Sequence, residues 1–112
     1  MGYVEAFTKV ETVFPEAKVI VHPSLIKQDG FYLLFEGSKS SSKFKDKLFF
    51  TLAIAANSFK NENGVMQKVD EFRERTIKES LFEWEETKSV ALETSTLYIV
   101  ACGFSYDLDF RE

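Results

Sequence analysis

Phe44-Lys45-Asp46-Lys47-Leu48-Phe49-Phe50-Thr51-Leu52-Ala53-Ile54-Ala55-Ala56-Asn57 is the most apolar run of the chain. In its first half Phe44, Leu48 and Phe50 alternate with Lys45 and Lys47, and in its second half Leu52 to Ala56 are all apolar. Successive side chains of a strand point to opposite faces. The run therefore predicts one long strand, Lys43–Asn57, whose end enters the middle of a sheet. It is too short, and too soon followed by Asn57 and Lys60, to cross a membrane as a helix.

Upstream, Tyr3, Val4, Phe7, Val10 and Phe14 recur at helical spacing, which predicts an amphipathic helix over Tyr3–Val13 ended by Pro15. Lys18 to His22 is rich in β-branched residues and reads as a strand limited by Pro23. Gln28-Asp29-Gly30 is a turn into a strand over Phe31–Glu36, so Val19–Ile26 and Phe31–Glu36 are expected to form a hairpin. Gly37 to Ser42 cannot bury apolar area and is expected to be an exposed loop.

Downstream, Asn61 or Asn63 can cap a helix running from about Gly64 to Ser80. Its apolar arc is Val65, Met66, Val69, Phe72 and Ile77, and Glu71–Arg75 and Glu74–Lys78 are spaced for ion pairs along it. Phe82 to Thr87 alternates as a strand with an acidic outer face, and Lys88 to Leu92 is left open. A last long strand runs from Leu97 to Phe110, with Gly103 a place for a bulge or close backbone approach. The expected fold is a single α+β domain over residues 1–112. It has an antiparallel or mixed sheet of about four or five strands with two helices packed on one face. The other face then carries Phe, Tyr and Ala residues with little cover, which favours another copy of the chain as partner.

Composition narrows the functional classes. The chain has 112 residues, 45% hydrophobic and 15% aromatic, enough for a real core. A net charge of −4 supplies no overall basic field for nucleic acid, so no sequence-specific nucleic-acid binding is expected. One cysteine, Cys102, excludes an internal disulfide and reads as a buried thiol in a reducing compartment. No basic-then-apolar segment marks a secretion signal, and no membrane association is expected.

Chemistry-bearing patterns are few. His22 is the only histidine and reads as a strand-end or capping residue, and one His with one Cys makes no zinc set. Glu83, Glu85, Glu86, Asp107 and Asp109 would form an acidic strip if the last two strands were neighbours. Such a strip can bind Ca²⁺ or Mg²⁺ or supply an acid–base pair, but alternating acids on a solvated face are commoner. No phosphate-binding glycine loop and no nucleophile elbow is present. Lys39, Lys43, Lys45 and Lys47 suit a phosphate contact or a charged edge that discourages strand pairing, and Trp84 suits a core or interface anchor. No catalytic, cofactor or metal residue is assigned.

The order of motifs resembles the tail terminator (tail completion) proteins of long-tailed bacteriophages and prophages. A short helix leads to the Phe14-Pro15 step, and a long strand ends in Ala55-Ala56-Asn57-Ser58-Phe59. Gly64 opens a single amphipathic helix, and the chain closes on Leu97-Tyr98-Ile99-Val100-Ala101-Cys102-Gly103-Phe104. The resemblance spans nearly the whole chain. It implies a protein that is not an enzyme, with helices on one side of a sheet. It implies a ring, commonly a hexamer, that caps the tail tube, stops its growth and receives the head. The implied partners are the chain itself, the tail tube and head–tail connector proteins; the implied place is the virion tail, and the host cytoplasm during assembly. On this reading Lys39, Lys43, Lys45, Lys47 and Trp84 are the candidate oligomer or tube contacts, and an acidic lumen would let DNA pass without sticking. Two other classes remain open: a small dimeric α+β ligand-binding or regulatory module with a Phe-lined pocket, and an enzyme working through the acidic strip.

Overall fold

The structure, a computed structural model, describes residues 1–91 and 96–112. Helix α1 (Tyr3–Val13) leads to strand β1 (Lys18–Val19), a 3₁₀ turn at Pro23–Leu25, and strands β2 (Gly30–Ser40) and β3 (Lys45–Ala56). Helix α2 (Val65–Lys78) and strands β4 (Phe82–Val90) and β5 (Tyr98–Asp109) complete it. The five strands form one mixed sheet in the order β1-β2-β3-β5-β4, with β1 parallel to β2 and the other neighbours antiparallel. The fold is α+β, as the sequence predicts.

The apolar run forms β3, the central strand, paired with β5 through an unbroken register from Lys45↔Asp109 to Ala56↔Tyr98. Leu48, Phe50, Leu52 and Ile54 share one sheet face with Val100, Cys102, Phe104, Tyr106 and Leu108, and all of them are buried. Ala6, Val10 and Phe14 of the α1 segment and Val65 and Phe72 of α2 close over this face. Rings fill the layer between helices and sheet. Phe104 stacks on Phe50 at 5.4 Å and on Phe82 at 5.7 Å, and the edge of Phe14 meets Phe72 at 5.6 Å. Each fully buried Phe contributes about 1.5–3 kcal/mol, and favourable ring pairs about 0.5–1.5 kcal/mol more.

Both helices sit where expected, but their buried stripes are shifted. Val4 is 82% exposed and Ala6 takes its place. In α2 the buried position is Thr76, while Ile77 points outward at 67% exposure. The Thr76 hydroxyl is satisfied by donating to the Arg73 carbonyl at 2.7 Å. No asparagine side chain caps α2. Its N-cap is Gly64, and the first-turn N–H groups of Val65 and Met66 donate instead to the Ser58 and Phe59 carbonyls. The expected pairs Glu71–Arg75 and Glu74–Lys78 are not formed. Arg75 turns across to Glu16, where a bidentate contact and the Val13 carbonyl offer more hydrogen bonds than one partner along the helix.

Three strand expectations are corrected. The hairpin of Val19–Ile26 with Phe31–Glu36 does not exist. Only Lys18 and Val19 pair with β2, in parallel, because the Pro23 turn lifts the chain off the edge. Gly37 to Ser40 is not loop but the outer half of β2, paired with Asp46 to Phe49 past a bulge at Phe35/Gly37. The turn is confined to residues 41–44. At its end Phe44, expected at the start of the strand, is outside the ladder and 42% exposed. The segment Lys88–Leu92 resolves into the end of β4 as far as Val90, and Leu92 lies outside the described residues.

Candidate functional site

The second sheet face has no helix. At one end Ile20 and Ile26, carried over by the Pro23 turn, bury Tyr32, Leu34, Ala53, Ala55 and Ile99. This cover was not legible in the sequence, which left the whole face bare. Beyond it the face is open. Thr51, Ala101 and Gly103 form a floor of small residues from the two central strands, with Phe49 alongside. A hollow of about 300 Å³ lies over them, continuous in its lining with a smaller one of about 190 Å³ that reaches Pro23 and Ile26.

The walls of the hollow are charged. Glu36 of β2 stands on one side, and Glu85, Glu86 and Lys88 of β4 on the other. The bulge at Trp84/Glu86 places two glutamates in succession here, and the stem of Glu86 lies against Gly103, where an added Cβ would meet it at 3.4 Å. Gly103 thus serves close approach, and the bulge sits on its neighbour β4. Glu85 accepts a 2.8 Å hydrogen bond from the buried Ser105 hydroxyl.

The acidic strip expected from adjacency of the last two strands is real as an arrangement, since β4 lies beside β5. Its carboxylates are largely engaged by cations. Lys47 reaches Glu83 at 3.1 Å and Glu85 at 3.8 Å, Lys88 lies 3.7 Å from Glu86, and Arg111 pairs with Asp109 at 2.9 Å. The guanidinium of Arg111 holds the Asp109 carboxyl down at about 2. Among the described residues no three His, Cys, Asp or Glu side chains converge as a metal set. His22 accepts the Ser24 N–H at its Nδ1 and caps the 3₁₀ turn.

The lysines singled out in the sequence divide into two groups. Lys47 belongs to the acidic face, held by Glu83, whose hydrogen bond raises its pKa. Lys39, Lys43 and Lys45 lie on the outer end of the β2–β3 hairpin, all exposed. None of these three is within ion-pair distance of a carboxylate among the described residues. Lys43 and Arg111 both lie against the exposed Phe44 ring, at 5.5 and 5.2 Å. Tyr3 anchors the helix-side flank of the hairpin through Ser38 and Asp46. Trp84 is on the helix side, partly buried, its indole N–H donating to Thr87 at 2.8 Å and Arg73 lying over its ring. It therefore stands apart from the hairpin lysines. Glu36 and the small-residue floor were missed in the sequence, because nothing local says which strands will sit side by side.

Neither known protein-family models nor curated proteins give a match to this chain.

Proposed function

We propose that the chain is a non-enzymatic, self-assembling structural subunit of the phage or prophage tail terminator kind, forming a ring that caps the tail tube and joins it to the head. The observation that carries this reading is the lopsided layer: both helices on one sheet face, and an open, acid-walled hollow on the other. A head-to-tail ring uses two different patches on each subunit and closes by rotation. The hollow and the basic hairpin end are two such patches. The helix order and the one-sided cover agree with what the resemblance implies. A hexamer is the ring size it implies, with the tube and the head–tail connector as neighbours, in the virion tail and, during assembly, the host cytoplasm.

The alternative, a ligand-binding module with a Phe-lined pocket between helices and sheet, is less well supported. That layer is occupied by stacked rings, and the hollows open onto the surface instead. Electron microscopy of the purified chain at high concentration, and of the chain coexpressed with a phage tail-tube protein, tests the proposal. Closed rings with a central hole, free or at tube ends, are expected. Monomers alone and unmarked tube ends would overturn it.

A further inference from the structure

We propose that the hairpin end of one copy, Lys39 with Lys43, Phe44 and Lys45, seats in the acid-walled hollow of the next copy. The inference rests on the ring reading and names the contact that builds the ring. The two surfaces are complementary in charge. Around the hollow and the strip beside it, Glu36, Glu83, Glu85, Glu86 and Asp107 outnumber Lys47 and Lys88, whereas Lys39, Lys43 and Lys45 at the hairpin end form no ion pair among the described residues, Lys45 sensing Asp109 across the ladder only at longer range. Opposed potentials of this kind steer and register a contact, and like charges across it oppose it.

The molecule is elongated, 45 × 27 × 21 Å, and the hairpin end lies at one end of the sheet beside the last residues of β5, where Lys45 pairs with Asp109. At ~3.3 Å per strand residue, Lys45 at the end of β3 lies roughly 20 Å from Thr51 on the same rigid strand. The hairpin cannot fold back into its own hollow, so only another copy can bring the two together. Phe44 is an exposed ring with cations beside it, and the hollow of about 300 Å³ has a floor of small residues that leaves room for a ring.

Edge-to-edge strand pairing is the competing way to join copies, and the sheet resists it. The outer stretch of β2 is broken by the bulge at Phe35/Gly37 and carries Lys39. The outer edge of β4 is broken at Trp84/Glu86 and lined by charges. Bulges and charges are the features that keep sheet edges from pairing.

The test is charge reversal with complementation. One variant carries Lys43→Glu and Lys45→Glu, the other Glu36→Lys and Glu86→Lys. All four side chains are exposed, and association is followed by sedimentation velocity. Each variant alone is expected to associate at least about tenfold more weakly than the wild type. An equimolar mixture is expected to recover assembly, since each reversed hairpin now meets a reversed hollow. Recovery also shows that both variants are folded. If either variant assembles like the wild type, or the mixture stays apart, the seating is wrong while the ring reading stands. If the wild type itself never assembles, alone or at tube ends, the ring reading fails and the seating with it.

Discussion

At the scale of single residues the chain keeps its reactive and ionic groups subordinate to packing. Cys102 sits in the ring-filled layer, and burial pushes its thiol up to about 12. A thiol that is not ionised is not a nucleophile. Native protein at pH 8 is therefore expected to resist a thiol reagent and to react only once unfolded. Modification of native protein at the rate of an open cysteine would contradict the burial. Arg75 ties the two helices together by gripping Glu16 and donating to the Val13 carbonyl at 3.1 Å. Its hydrogen bonds hold the Glu16 carboxyl below the usual range. A carboxylate lowered in the folded state binds fewer protons there than in the unfolded chain. Its stabilisation is present above the ordinary value near ~4.3 and is lost as pH falls through the lowered one. Arg75→Ala is expected to cost about 1–2 kcal/mol at pH 7 by urea unfolding, discounted for a pair that is one-third exposed. The deficit should narrow at pH 2–3, where the Val13 hydrogen bond and the contact over the Phe72 ring remain to be lost but the Glu16 pair does not. A deficit that does not change with pH would show that Glu16 is not the partner that matters.

Among the elements, α2 depends on a backbone approach rather than on a capping side chain. At Gly64 an added Cβ would stand 2.6 Å from the Phe59 carbonyl oxygen and 2.9 Å from that of Asn61. Those are backbone atoms, so the loop would have to move away from the N–H groups it satisfies. Gly64→Ala is expected to destabilise by about 1–3 kcal/mol in chemical denaturation, despite alanine's better helix propensity. Neutral or stabilising behaviour would mean that the loop is not locked to the helix start. The long elements were legible because their side-chain period is strict. Leu48, Phe50, Leu52 and Ile54, and Val100, Cys102, Phe104, Tyr106 and Leu108, fall at two-residue spacing on the helix-covered face. β1 was misread because a two-residue parallel strand has no period, and its partner is chosen by where Pro23 sends the chain. The outer half of β2 was misread because Gly37-Ser38-Lys39-Ser40 has loop composition and is held only by pairing with β3. Thr76 replaced Ile77 in the buried stripe because helix phase, set by Val65 and Phe72, outweighs the greater hydrophobicity of the neighbour.

For the whole molecule the consequence is asymmetry. One flank is a closed aromatic layer; the other is half covered by the Ile20–Ile26 crossing and half open. The open half joins residues from β2, β3, β4 and β5. Its lysine-bearing counterpart could be flagged in the sequence as a cluster, but the hollow could not, since strand order alone decides that Glu36 faces Glu86 across Thr51 and Gly103. Thr51→Cys places a thiol on the floor of this hollow, with the native Cys102 silent by burial. The most direct measurement is the labelling rate of that thiol as protein concentration is raised, with Val4→Cys on the outer face of α1 as reference. Another copy covering the open flank predicts that labelling at position 51 slows steeply while position 4 keeps its rate. An unchanged rate at position 51 over the whole range would contradict it.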